Sequence, residues 1–136
     1  MSREILIVDD NADIRNIINE LILDAGYKTR LAANYNQALS EIDKKLPDVA
    51  ILDVKLDKGD NDGIELLSHI KSKSKDIPVI IISHNLRQVF DLVDKIAVFR
   101  QGKIIDILKT NEVSGNDVVA LITGLDKKNR AVGEYI

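Results

Sequence analysis

Cysteine is absent from the 136 residues. That excludes a disulfide framework, a thiolate metal site and a thiol nucleophile, and it agrees with a reducing compartment. No apolar run reaches the ~20 residues that a membrane-spanning helix needs. The opening Met1-Ser2-Arg3-Glu4 leads straight into an apolar segment and does not read as a signal peptide. A soluble, cytoplasmic chain with no membrane partner is the expectation. A strongly basic stretch, a helix-turn-helix signature and any interleaving of aromatic with basic residues are also missing, so direct nucleic-acid binding is not expected. No internal repeat, low-complexity segment or linker interrupts the chain.

What is present suffices for one ordinary core: 45% of the residues are hydrophobic. The formal charge of −3 is unevenly placed, since residues 1–77 carry 11 Lys/Arg against 15 Asp/Glu and residues 78–136 carry 8 against 7. The first half is the acidic one.

Hydrophobic periodicity alternates between strand and helix. Ile5-Leu6-Ile7-Val8 is an apolar run, and Ile14, Ile17, Ile18, Leu21, Ile22 and Ala25 then recur at helical spacing up to Gly26, a plausible terminator. Tyr27 to Ala32 reads as a short strand, and Gln37 to Leu46 as a helix ended before Pro47. Val49 to Leu52 is a third strand. The loop Val54 to Asp62 is rich in Lys, Asp and Gly and reads as solvated, and Asp62-Gly63 opens a helix with Ile64, Leu67 and Ile70 on one face. Val79-Ile80-Ile81-Ile82 carries no charge, which predicts burial on both sides. Strands separated by helices call for parallel pairing and right-handed crossovers, hence an α/β doubly wound parallel sheet.

Ligands of such sheets bind beyond the carboxyl ends of the strands. Two of the apolar runs end there in acids, Asp9-Asp10 after the first and Asp53 after the third. Adjacent parallel strands converge these three carboxylates on one spot. Their mutual repulsion is relieved by a hard, oxygen-seeking cation, and Mg2+ is the natural choice because it takes one or two carboxylates, waters and a phosphate.

Four stretches together resemble the receiver domain of two-component response regulators: Ile5 to Asn11, Asp48 to Leu56, Asp62 to Leu67, and Pro78 to Ser83. The resemblance covers residues 1–83. It implies a flavodoxin-like fold with strand order 2-1-3-4-5 and a phosphoprotein of phosphorelay signalling. Asp53 would be the phosphoacceptor, with Asp9, Asp10, Asp53 and the backbone carbonyl of Lys55 as ligands of Mg2+ and Ser83 as the switch hydroxyl. A sensor histidine kinase or phosphotransfer protein would be the donor, and a homodimer is allowed. Such a module is a substrate more than an enzyme, with at most slow self-dephosphorylation.

Beyond Ser83 the receiver pattern breaks. The Lys-Pro pair whose lysine contacts the phosphoryl group in that family is absent. Arg100, or Lys103, is the substitute that position suggests. Residues from about 78 to 124 instead resemble the end of a sugar-import transporter ATP-binding subunit, in which His84 would be the switch histidine. No Gly-x-x-x-x-Gly-Lys-Ser/Thr loop accompanies it, so no ATPase activity is expected. The chain therefore reads as a hybrid: one domain over 1–124, receiver-like over 1–83 and ATPase-like over 84–124, with a polar tail at 125–136. Leu86, Val89, Phe90 and Val93 supply a helical apolar face, and a hairpin over 96–108 adds an antiparallel edge strand through a turn at Gln101-Gly102. Ser114 with Asp117 caps a last helix. The alternative reading is a folded chimera or transporter-ATPase fragment without phosphoryl transfer. A hydrolase forming an aspartyl-phosphate is disfavoured, because Lys55 stands where its general acid belongs.

Overall fold

The computed structural model describes residues 3–83, 90, 93–100 and 103–124. The chain divides into two compact units, Met1–Ser83 and His84–Ile136.

In the first unit, β1 (Glu4–Val8), β2 (Lys28–Ala32), β3 (Val49–Asp53) and β4 (Val79–Ile82) alternate with α1 (Ala12–Asp24), α2 (Tyr35–Lys44) and α3 (Asp62–Lys73). All strand pairs are parallel, in the order β2-β1-β3-β4. The sheet is thus the expected flavodoxin-like one as far as β4. Its core side carries Leu6, Val8, Ala50 and Leu52 from the strands, Ala38 and Ile42 from α2, and Leu66 and Ile70 from α3. Helix α3 buries the Gly63, Leu66, Ile70 line, while Ile64 and Leu67 are only half-buried.

Gly26, at φ 94°, takes the left-handed turn read for it at the end of the first helical segment, and Asn11 and Asn34 cap α1 and α2. Two burial expectations fail. Ile80 and Ile82 of β4 are 53% and 40% exposed, so the charge-free strand is not buried on both sides. No residue of α1 is fully buried, and Ile17 and Leu21 are exposed.

The second unit contains β5 (Lys95–Arg100), β6 (Lys103–Lys109) and a helix, α4 (Gly115–Thr123). The expected hairpin is present, with β5 antiparallel to β6 and a register irregularity at Val98/Phe99. Among the described residues β5 pairs with β6 in a two-stranded sheet, where the order 2-1-3-4-5 had placed it beside β4. A short hairpin closure orders little chain, so local antiparallel pairing is the low-entropy solution. Val98, Val118 and Leu121 form the small core of this unit. Ser114 and Asp117 make the reciprocal capping box anticipated for α4. The turn at Gln101-Gly102, the apolar positions Leu86 and Val89, and the 125–136 tail lie outside the described residues.

Candidate functional site

Register assembles the site. Val8 of β1 pairs with Leu52 of β3, so the next residues, Asp9 and Asp53, leave the two strands side by side. Carboxylate oxygens of Asp9, Asp10 and Asp53 all lie within 4.8 Å of one another. Asp9 is buried, at 4% exposure, Asp53 half-buried and Asp10 exposed. An all-oxygen donor set of this size suits a hard divalent cation and not a soft one.

The turn from β1 into α1 holds Asp9 in place. Its Oδ1 accepts the Asn11 amide at 2.9 Å, and the Arg15 guanidinium donates to its carbonyl at 2.7 Å. Asn11 Oδ1 in turn accepts from the Asp13 and Ile14 amides. The positive end of the α1 dipole therefore faces the acids.

On the other side, the chain leaves β3 through a loop anchored at several points. Val54 N–H donates to Ile82 O at 3.1 Å, and Gly63 N–H donates to Val54 O at 2.8 Å. Val54 and Leu56 are buried, while the side chain of Lys55 between them is exposed, its ammonium 3.8 Å from Asp60. Asp62 is buried, and its Oδ2 accepts the Lys58 and Gly59 amides at 2.9 and 3.1 Å. Gly63 stands so close to the end of β3 that a Cβ there would lie 2.4 Å from Asp53 O and 2.6 Å from Val54 Cα.

Ser83 follows directly on Ile82, the register partner of Asp53, which puts it at the same rim of the sheet. Arg100 ends β5 opposite Lys103, in the second unit. The side chain of Arg100, and His84 altogether, lie outside the described residues.

The loop is exposed at Lys55, Asp57, Lys58, Asp60 and Asn61, as read, and Asp57 adds a tie to another element. Its Oδ1 accepts the amide of Tyr35, the first residue of α2, at 2.9 Å, and the Lys58 ammonium lies 5.2 Å from the Tyr35 ring centre. Asp57, Asp62 and Gly63 are the residues of the site region whose roles sequence reasoning missed. Only the Asp62-Gly63 pair carried a signal, the acid before a glycine at a helix start.

Against known proteins, the profile of the response regulator receiver domain matches residues 5–113. Nitrogen assimilation regulatory protein NtrX of Azorhizobium caulinodans is 40% identical over 83 residues, 61% of this chain and 18% of that protein. Sporulation initiation phosphotransferase F of Bacillus subtilis is 43% identical over 83 residues, 61% of this chain and 65% of that protein. The chain thus spans under two thirds of either relative. Among solved structures, a CheY-like response regulator receiver domain protein from Methanospirillum hungatei superposes with a TM-score of 0.60 at 26% identity, covering 65% of this chain and 70% of that one.

Proposed function

The chain belongs to the response regulator receiver family, and we propose that within it Asp53 is the residue that accepts the phosphoryl group. The observation that carries this is the convergence of Asp9, Asp10 and Asp53 within 4.8 Å at the carboxyl rim of the sheet.

The donor is the phosphohistidine of a sensor histidine kinase or phosphotransfer protein. A carboxylate oxygen of Asp53 attacks phosphorus in line, the P–N bond breaks, and its electron pair leaves with the imidazole, which takes up a proton. The product is an acyl phosphate on Asp53. Asp9, Asp10, Asp53 and the carbonyl of Lys55 would hold Mg2+. An ion there offsets the charge that gathers on the transferring phosphoryl oxygens. Asp9, fixed by Asn11 and Arg15, keeps its carboxylate toward the acceptor. Ser83 donates its hydroxyl to a phosphoryl oxygen, and the move that brings it there pulls on the chain that follows.

Arg100 is offered, on its position in the sequence alone, as the substitute for the family's lysine; an arginine's planar fork suits a phosphoryl group but differs from a lysine in reach. Were residues 78–124 akin to a transporter ATP-binding subunit, as their resemblance implies, the segment after Ser83 would lack the output sequence usual in the family, although the receiver profile matches as far as residue 113. Phosphorylation without the usual conformational message, and without homodimer formation, is the consequence of that reading. Signalling then proceeds by contact with another protein and not by direct nucleic-acid binding.

The test is intact mass after incubation with acetyl phosphate and Mg2+. A single labile adduct is expected on the parent, absent from Asp53→Asn and lost with chelator. No adduct on a folded parent would favour the alternative, a folded chimera without phosphoryl transfer.

A further inference from the structure

Several polar interactions outside the acid cluster shape the loop between β3 and α3; Val54 reaches β4 through Ile82 O, and Asp57 and Lys58 both reach Tyr35 of α2. Asp62 ties the loop to itself, through the Lys58 and Gly59 amides. Gly63 ties the start of α3 back to Val54. Asp57 alone among the described loop carboxylates reaches across to α2, accepting the Tyr35 amide 22 residues away in sequence at 2.9 Å.

The tie has consequences at both ends. At Tyr35 it satisfies one of the unpaired amides of the first turn of α2, a position that Asn34 leaves open because its own side chain bonds Gln37 N–H. At the loop it holds the backbone immediately after Leu56, whose side chain is buried in the core. Residue 55 is then flanked on one side by Val54, bonded to Ile82 and Gly63, and on the other by Leu56 and Asp57. Its backbone carbonyl belongs to a peptide pinned at both ends, although its own side chain is exposed and, among the described residues, pairs with exposed Asp60.

We infer that Asp57 is a positioning residue for divalent-cation binding: through the Tyr35 amide it braces the backbone that presents the Lys55 carbonyl, and so couples the first turn of α2 to the metal site. The inference rests on the reading of Asp9, Asp10, Asp53 and the Lys55 carbonyl as the cation ligands. The brace acts through a neutral donor and one carboxylate oxygen. An asparagine, which keeps that acceptor, therefore preserves it, while alanine removes it.

The experiment is calorimetric titration of Mg2+ into the full chain, with amide exchange of Tyr35 followed in parallel. Asp57→Ala is expected to raise the Mg2+ Kd by about tenfold, the lower end of what loss of a supporting partner costs a metal site. Asp57→Asn is expected to return to within about twofold of the parent. In the parent, Mg2+ slows exchange of the Tyr35 amide, because binding and bracing reinforce one another; in Asp57→Ala that slowing is lost. A merely structural cap on α2 would lower the thermal midpoint of Asp57→Ala and leave its Kd at the parental value. That result overturns the proposal while leaving the acceptor reading intact. A folded parent that binds no Mg2+ and forms no adduct on Asp53 overturns both.

Discussion

At the scale of single residues, the site depends on positions that carry no chemistry of their own. Gly63 is one. A methyl group there would collide with backbone atoms, Asp53 O at 2.4 Å and Asp53 C at 2.9 Å, which have no rotamer to yield. Gly63→Ala is therefore expected to destabilise the chain by on the order of 3 kcal/mol and to displace the acceptor residue itself. Urea unfolding measures the first effect and adduct formation with acetyl phosphate the second. A variant with the parental midpoint and parental adduct yield would show that α3 stands further from β3 than described. Asp62 is another such position: its buried carboxylate accepts the Lys58 and Gly59 amides and so folds the preceding loop back onto the first residue of α3. The acids of the cluster were readable because each ends an apolar run. Asp57 and Asp62 were not, because the partner of a polar loop residue is chosen by the path of another element.

At the scale of elements, α2 shows how one side chain secures the end of a helix. At the end of α2, Arg30 of β2 donates to Glu41 O at 2.9 Å, which also accepts the Lys45 amide, and to the carbonyl of the C-cap residue Lys45 at 2.7 Å. Its Nε lies 3.2 Å from Glu4 Oε1, an ion-pair contact outside hydrogen-bond geometry. Arg30 is little exposed, at 16% of its side chain, so these bonds are made largely away from water. Arg30→Met keeps most of the apolar stem and deletes the donors. It is expected to cost about 1–3 kcal/mol, read as a lower urea midpoint, and to speed exchange of the amides in the last turn of α2. The helices themselves were legible from spacing, and Asn11 and Ser114 start elements where they were expected to, while the Asn34 cap lies three residues before the expected start of α2 at Gln37. Burial was less so. Periodicity marks which face is apolar, and Ile17 and Leu21 of α1 are apolar yet exposed, because packing against a neighbour decides coverage.

At the scale of the whole molecule, two carboxylates link stability to pH. The hydrogen bond from Lys45 holds the Glu4 carboxyl below its ordinary 4.5, and the one from His69 holds Asp43 below its ordinary 3.8, with Lys73 adding to it. A carboxyl whose pKa is lowered by folding binds its proton more readily when unfolded. Its contribution is therefore fully present above the ordinary value and is lost as the pH falls through the folded one. Stability is expected to decline with acidification below about pH 4.5. In the double variant Glu4→Gln, Asp43→Asn that slope is shallower, as urea midpoints between pH 6 and pH 3 would record. A slope identical to the parent's would assign the acid sensitivity to other groups. No helix among the described residues is long and apolar enough to cross a membrane.

The sequence by itself determined the alternation of strands and helices and the placing of Asp9, Asp10 and Asp53 at strand ends, which follow from local periodicity together with the rule that parallel strands end at a common rim; the order of the first four strands was implied only by the resemblance to receiver domains. Only the tertiary structure decided that Ile80 and Ile82 lie open and that Asp57 reaches Tyr35. Each of these depends on which of several chemically equivalent partners lies within hydrogen-bonding or packing distance. That distance is set by the path of the whole chain, and no local pattern of residues encodes it.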